Sequence, residues 1–143
     1  MSNTTVLLVD DEEEFVTVLA ERLEARGLRV DTAKNGEIAL EKAESKEYDA
    51  ILLDMAMPGM DGTETLQRLL EINPRLQIIL LTGQSTLGQA VEAMKQGAHD
   101  FLEKPADIET VVSRIETAAT EKTKLEDQRV EQRLSDIMRK KGW

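Results

Sequence analysis

Asp10, Asp11, Asp54, Thr82 and Lys104 are the residues whose types and spacing could do chemistry together. Three carboxylates brought to one place repel one another, and a bound divalent cation is the natural compensation. The chain has no cysteine and a single histidine, His99. An oxygen-only ligand set therefore favours Mg²⁺, with Mn²⁺ as the alternative, over zinc. Mg²⁺ uses few carboxylates, keeps several waters and leaves positions for phosphate oxygens, so such a cluster suits phosphoryl transfer better than ion storage. Asp54 could then act as the nucleophile. The Lys104 ammonium and the Thr82 hydroxyl are the groups available to neutralise and hydrogen-bond an arriving phosphoryl group.

The elements around these residues bring them to one edge. Val6 to Val9, Ala50 to Leu53 and Ile78 to Leu81 are short continuous apolar runs, the pattern of parallel strands covered on both faces. They are followed directly by Asp10, Asp54 and Thr82. Arg29 to Ala33 and Asp100 to Lys104 are weaker strand candidates that bring the number to five. Helical periods fill the gaps: Phe15, Val18, Leu19, Leu23; Ile38, Leu40, Ala43; Leu66, Leu69, Leu70; Ala90, Val91, Met94. Gly27, Gly36, Gly62 and Gly97 lie at the junctions. Strict β/α alternation predicts an α/β fold, a five-stranded parallel sheet with right-handed crossovers and ligands at the carboxyl ends of its strands.

Each residue also has a plain structural reading. Asp10 and Asp11 ahead of Glu12-Glu13-Glu14 would suit a helix N-terminus. Asp54 alone could be a loop acid, and Lys104 a solvated strand end. It is their joint placement at strand ends that favours a site. His99 is expected exposed at the start of the fifth strand and without function. Met55, Met57 and Met60 read as an apolar patch beside Asp54.

Four segments, Val9-Asp10-Asp11, Leu53-Asp54-Met55-Ala56-Met57-Pro58-Gly59-Met60-Asp61-Gly62, Leu81-Thr82-Gly83 and Phe101-Leu102-Glu103-Lys104-Pro105, resemble the receiver domains of two-component response regulators over roughly the first 120 residues. The resemblance implies a flavodoxin-like receiver fold with strand order 2-1-3-4-5. It also implies a metal site of Asp10, Asp11, Asp54 and the backbone carbonyl of Ala56. Asp54 would be the acceptor of phosphate from a histidine kinase or phosphotransfer protein, with Lys104 and Thr82 contacting the phosphoryl group. Thr82 and Phe101 match the switch positions, and Lys104-Pro105 the family's cis peptide. The run Ala93 to Pro105 is most similar to receivers that precede AAA+ transcriptional activators.

Composition narrows the alternatives. Twenty-eight acidic against 18 basic residues give a formal net charge of −10, which repels a nucleic-acid backbone. No apolar run approaches membrane-spanning length, and Met1 to Thr5 lacks a signal-like pattern, so a cytoplasmic location without membrane insertion is expected. Asp107 to Lys141 has no Gly or Pro and reads as one long helix whose apolar stripe thins after Ala119. This suggests a receiver domain over 1–120 and a helical extension or linker over 121–143.

The favoured function is a phosphoacceptor switch, not a turnover enzyme, read by a downstream protein partner; homodimerisation is left open. The rival is a pseudo-receiver that binds or dimerises without phosphotransfer. A dehalogenase-like phosphatase would want a second acid where Ala56 stands, and a flavin or nucleotide site would want a Gly-rich loop in place of Asp10 to Glu13.

Overall fold

The computed structural model describes residues 3–57 and 59–140. Pro58 of the Met-Pro-Gly turn and residues 141–143 at the end of the extension lie outside the described residues.

Five strands, β1 (Thr5–Val9), β2 (Arg29–Ala33), β3 (Ala50–Asp54), β4 (Ile78–Thr82) and β5 (Asp100–Glu103), alternate with α1 (Glu13–Ala25), α2 (Gly36–Ser45), α3 (Gly62–Ile72), α4 (Leu87–Lys95) and α5 (Ile108–Lys140). All pairings are parallel, as the alternating pattern predicted, and the order is β2-β1-β3-β4-β5, as the resemblance implied. The continuous apolar runs have their explanation here. Side chains alternate between faces along a strand, and both faces are covered. Leu7, Val9, Ile51, Leu53, Ile78 and Leu80 pack with Ala39 of α2, Leu66 and Leu69 of α3, and Ala90 and Ala93 of α4. Val6, Leu8, Leu52, Ile79 and Leu81 pack on the other face with Leu19 and Leu23 of α1 and Val111, Ile115 and Ala118 of α5. Removing each such Leu or Ile from water stabilises the fold by about 1.5–3 kcal/mol.

The helix starts are set by short polar side chains. Asn35 Oδ1 accepts the Ile38 N–H at 2.9 Å, and Asp61 Oδ1 accepts the Glu64 N–H at 2.9 Å. Asp107 Oδ1 takes the Thr110 N–H at 2.8 Å, a hydrogen bond that holds the Asp107 carboxyl below its ordinary range.

Helix α5 is one continuous element. Its early turns bury Val111, Ile115 and Ala118, and Lys122 then pairs with Asp49 at 3.2 Å. Asp49 also accepts the Thr5 N–H at 2.8 Å, so the helix is tied to the amino edge of the sheet. Beyond this, Val130, Leu134, Ile137 and Met138 are exposed, in keeping with the thinning stripe. His99, expected exposed, is half-buried, because its N–H is drawn onto the Ile78 carbonyl at 2.8 Å as the chain enters β5.

Gly62 opens α3 directly under the β3 carboxyl end. A Cβ there would stand 2.6 Å from Met55 Cα and 3.0 Å from the Asp54 carbonyl. Gly88 in α4 has nothing within 4 Å of the same added atom. Gly62→Ala should therefore destabilise by about 1–3 kcal/mol through overpacking, whereas Gly88→Ala should stabilise by up to about 1 kcal/mol through helix propensity. Paired thermal melts check this, and a stabilised Gly62→Ala would contradict the close approach.

Candidate functional site

The carboxyl edge of the sheet holds its residues by backbone hydrogen bonds to the neighbouring strand. The Asp10 N–H donates to the Ala33 carbonyl at 3.0 Å, Met55 N–H to Leu81 at 3.0 Å, and Lys104 N–H to Thr82 at 2.8 Å. Asp10, Asp54, Thr82 and Lys104 are thus set at the ends of four adjacent strands, where the parallel sheet was expected to gather them.

Asp10 is buried, at 2% exposure, and fully engaged. Its Oδ1 accepts the Glu12 N–H at 3.0 Å, and its Oδ2 accepts from Lys104 Nζ at 2.9 Å. One oxygen thus closes the turn onto Glu12 and the other holds the ammonium, while the N-cap of α1 is Glu12 itself, with no side-chain cap hydrogen bond. Asp54, at 4% exposure, accepts the Ala56 N–H at 3.2 Å and lies 3.7 Å from Lys104 Nζ. Lys104 Nζ is also 3.5 Å from Glu12 Oε1 and 4.3 Å from the centroid of the Phe15 ring. The Lys104-Pro105 peptide is cis.

The carboxylates that converge are those of Asp10, Glu12 and Asp54, with oxygens within 4.8 Å of one another. Asp11 is exposed and outside that trio. Sequence reasoning overlooked Glu12, which reads as one member of an acidic helix start. Its available signal was its place two residues after Asp10, where a tight turn doubles the side chain back toward the strand end.

Excess negative charge marks the site. Burial, aided by the neighbouring Asp10 charge, pushes the Asp54 carboxyl up to about 6 against the opposing pull of the Ala56 N–H and Lys104. Burial alone would pull the Lys104 ammonium down. The Asp10 hydrogen bond and the charges of Asp54, Asp10 and Glu12 outweigh it and hold the ammonium above its ordinary value. Three carboxylates against one ammonium leave an uncompensated charge in an all-oxygen donor set, and this chemistry fits a hard divalent cation such as Mg²⁺.

Thr82 is fully buried, and its hydroxyl lies 2.6 Å from Thr86 Oγ1 and donates to the Gly83 carbonyl at 3.0 Å. Thr86 was not singled out in the sequence; the 3₁₀ turn Gln84–Thr86 brings it back beneath the strand end. Phe101, paired with Leu80 across the sheet, is half-buried and packs against the α2-α3-α4 side of the core. Met55 and Met57 are buried, which makes them core filling beside Asp54. Ala56 is exposed on the loop beyond Asp54.

A family profile described as response regulator receiver domain matches residues 6–116. The chain is 42% identical over 104 residues to the transcriptional regulatory protein ZraR of Klebsiella oxytoca, covering 73% of this chain and 24% of that protein. It is 41% identical over 118 residues to the DNA-binding transcriptional regulator NtrC of Escherichia coli K12, covering 82% and 25%. It spans about a quarter of the length of these relatives. Among solved structures, a response regulator receiver domain protein from Clostridium thermocellum superposes with a TM-score of 0.81 at 31% identity, covering 85% of this chain and 98% of that one. The strand order, the motifs at the strand ends and these matches agree, and the chain belongs to the receiver domain family of two-component response regulators.

Proposed function

We propose that the protein is a phosphoacceptor switch in which Asp54 takes a phosphoryl group from a histidine kinase or a phosphotransfer protein. The observation that carries this reading is the convergence of two further carboxylates and one ammonium on a buried Asp54 at the end of β3.

Asp10, Asp11, Asp54 and the Ala56 carbonyl, joined by Glu12, are the groups that would hold the cation. Mg²⁺ when bound supplies positive charge to the phosphoryl oxygens. An Asp54 oxygen forms the new P–O bond as the P–N bond of the donor phosphohistidine breaks, and the electron pair returns to the imidazole nitrogen. The Asp54 carboxyl, at about 6 without metal, is largely ionised at neutral pH. Lys104 lies near enough to turn its ammonium to a phosphoryl oxygen. The Thr82 hydroxyl exchanges Thr86 for the phosphoryl group, and Phe101 follows inward, a two-state change biased by local charge. No turnover of an external substrate is implied.

The output is a protein partner that reads the switched surface, in the cytoplasm, with no direct nucleic-acid contact because of the −10 charge. Residues 1–120 act as the receiver and 121–143 as an extension or linker, helical as far as Lys140. The exposed Val130, Leu134, Ile137 and Met138 suit contact with a partner or a second copy.

Incubation with acetyl phosphate should add a single phosphoryl mass only when Mg²⁺ is present, and Asp54→Asn should abolish the adduct. No adduct on folded wild type, with acetyl phosphate and with a kinase donor, would move the reading to a phosphorylation-independent interaction module. On the same readout, Asp11→Asn should weaken Mg²⁺ affinity and phosphorylation together by about tenfold or more. Lys104→Ala should slow phosphorylation far more than it weakens the metal; equal metal and rate losses would remove its assigned role.

The Asp54 carboxyl gives a stability prediction with a definite sign. A folded-state value of about 6, above the ordinary 3.8, means that the folded protein holds this proton more tightly than the unfolded chain. The resulting stabilisation is complete below about pH 4 and is lost as pH rises through about 6. In metal-free buffer, Asp54→Asn should be more stable than wild type at pH 7.5, by on the order of 1–3 kcal/mol, and the difference should vanish near pH 4. Chemical denaturation at the two pH values measures it; an unstabilised Asn variant at pH 7.5 would contradict the raised, burial-driven Asp54 carboxyl.

A further inference from the structure

Lys104 must keep its ammonium beside Asp54 while the charges around it change. Its ionic partners are Asp10 at 2.9 Å, Glu12 at 3.5 Å and Asp54 at 3.7 Å. These are the same carboxylates that converge as a candidate cation site. A divalent ion taking those oxygens would withdraw them from the ammonium and repel it as well. Two positive groups would then compete for one set of ligands, and the more mobile one is a flexible lysine.

The fourth contact is of a different kind. Phe15 sits three residues past Glu12 on the first turn of α1, with its ring centroid 4.3 Å from Lys104 Nζ. That is well inside the reach of a cation–π attraction. The ring is half-buried, packed against the core on the α1-α5 side, and shares a groove with Leu19, Pro105, Ala106 and Ile108. Packing therefore fixes where it stands. A π face is no ligand for a hard cation that takes oxygen donors, so this contact does not enter the competition. The Lys104 side chain is only 21% exposed, which leaves the contact partly desolvated, where such attractions are stronger.

We propose that Phe15 is a positioning residue: its ring holds the Lys104 ammonium toward Asp54 when a divalent cation takes the carboxylates. The contact itself is independent of the phosphoacceptor reading; its effect on rate rests on that reading. Leu at this position would keep the apolar packing and lose the π face, and Tyr would keep both.

The experiment has a spectroscopic arm and a kinetic arm on the full chain. In NMR spectra, the ε-methylene protons of Lys104, assigned by their loss in Lys104→Arg, should lie upfield of those of the other lysines through the ring current of Phe15. That displacement should persist at saturating Mg²⁺, disappear in Phe15→Leu and return in Phe15→Tyr. With acetyl phosphate and saturating Mg²⁺, Phe15→Leu should be phosphorylated about 5–30-fold more slowly and Phe15→Tyr within about twofold of wild type. In a Lys104→Ala background, Phe15→Leu should cost nothing further. An upfield displacement that is absent from wild type, or that collapses on adding Mg²⁺, overturns the proposal without needing any variant to fold. A Phe15→Leu rate loss that persists undiminished in Lys104→Ala overturns it in favour of general packing. If wild type takes no phosphoryl group while the displacement survives Mg²⁺, the phosphoacceptor reading falls and the positioning contact stands.

Discussion

The burial of more negative than positive charge at one edge of the sheet is the constraint on which the rest of this molecule turns. Asp10 and Asp54 are nearly inaccessible to water, and among the described residues Lys104 is the single ammonium paired with both. In a low-dielectric setting unlike charges attract strongly and like charges cannot share a site without a counter-ion or a proton. The raised Asp54 carboxyl expresses first its burial and then the neighbouring Asp10 charge. A hard divalent cation would compensate the same imbalance, and the phosphoacceptor role proposed above builds on that compensation. Stability and function pull against each other at this edge, as they commonly do where charged groups are pre-arranged for chemistry.

The sheet makes the imbalance tolerable. Parallel pairing places the ends of β1, β3, β4 and β5 side by side. Backbone hydrogen bonds from Asp10, Met55 and Lys104 to neighbouring strands then hold the chain where the carboxylates would otherwise drive it apart. Both faces beneath are filled with Leu, Ile, Val and Ala, so little freedom is left to relax. The Thr82 hydroxyl has a partner in Thr86 that it can exchange, and Phe101 is only half-buried.

Helix α5 serves two ends of the molecule. Its early turns cover one face of the sheet, and the Lys122 to Asp49 ion pair marks where it leaves the domain. Past that point Val130, Leu134, Ile137 and Met138 are exposed among the described residues, and the helix presents an amphipathic surface. The core face, which packs toward β4 and β5, and the exposed stripe are thus parts of one continuous helix.

Much of this was legible in the sequence, because strand burial and helix amphipathicity are periodic local signals. Three apolar runs determined β1, β3 and β4, two weaker candidates completed the five, their alternation with helices determined a parallel sheet, and the polar residues at the strand ends named Asp10, Asp54, Thr82 and Lys104. What local pattern cannot carry is the direction a side chain takes once the backbone turns. Which of the acids after β1 folds back over the strand end was decided by the turn that Asp10 caps, and it brought Glu12, not Asp11, beside Asp54 and Lys104. The partnership of Thr82 with Thr86 depends on a single 3₁₀ turn, and that of Lys104 with Phe15 on two elements 89 positions apart in sequence. Residue types and their order determined what chemistry was available; only the packing of α1 against the β5-α5 junction decided which groups face the ammonium, since contacts between distant segments leave no period in the sequence.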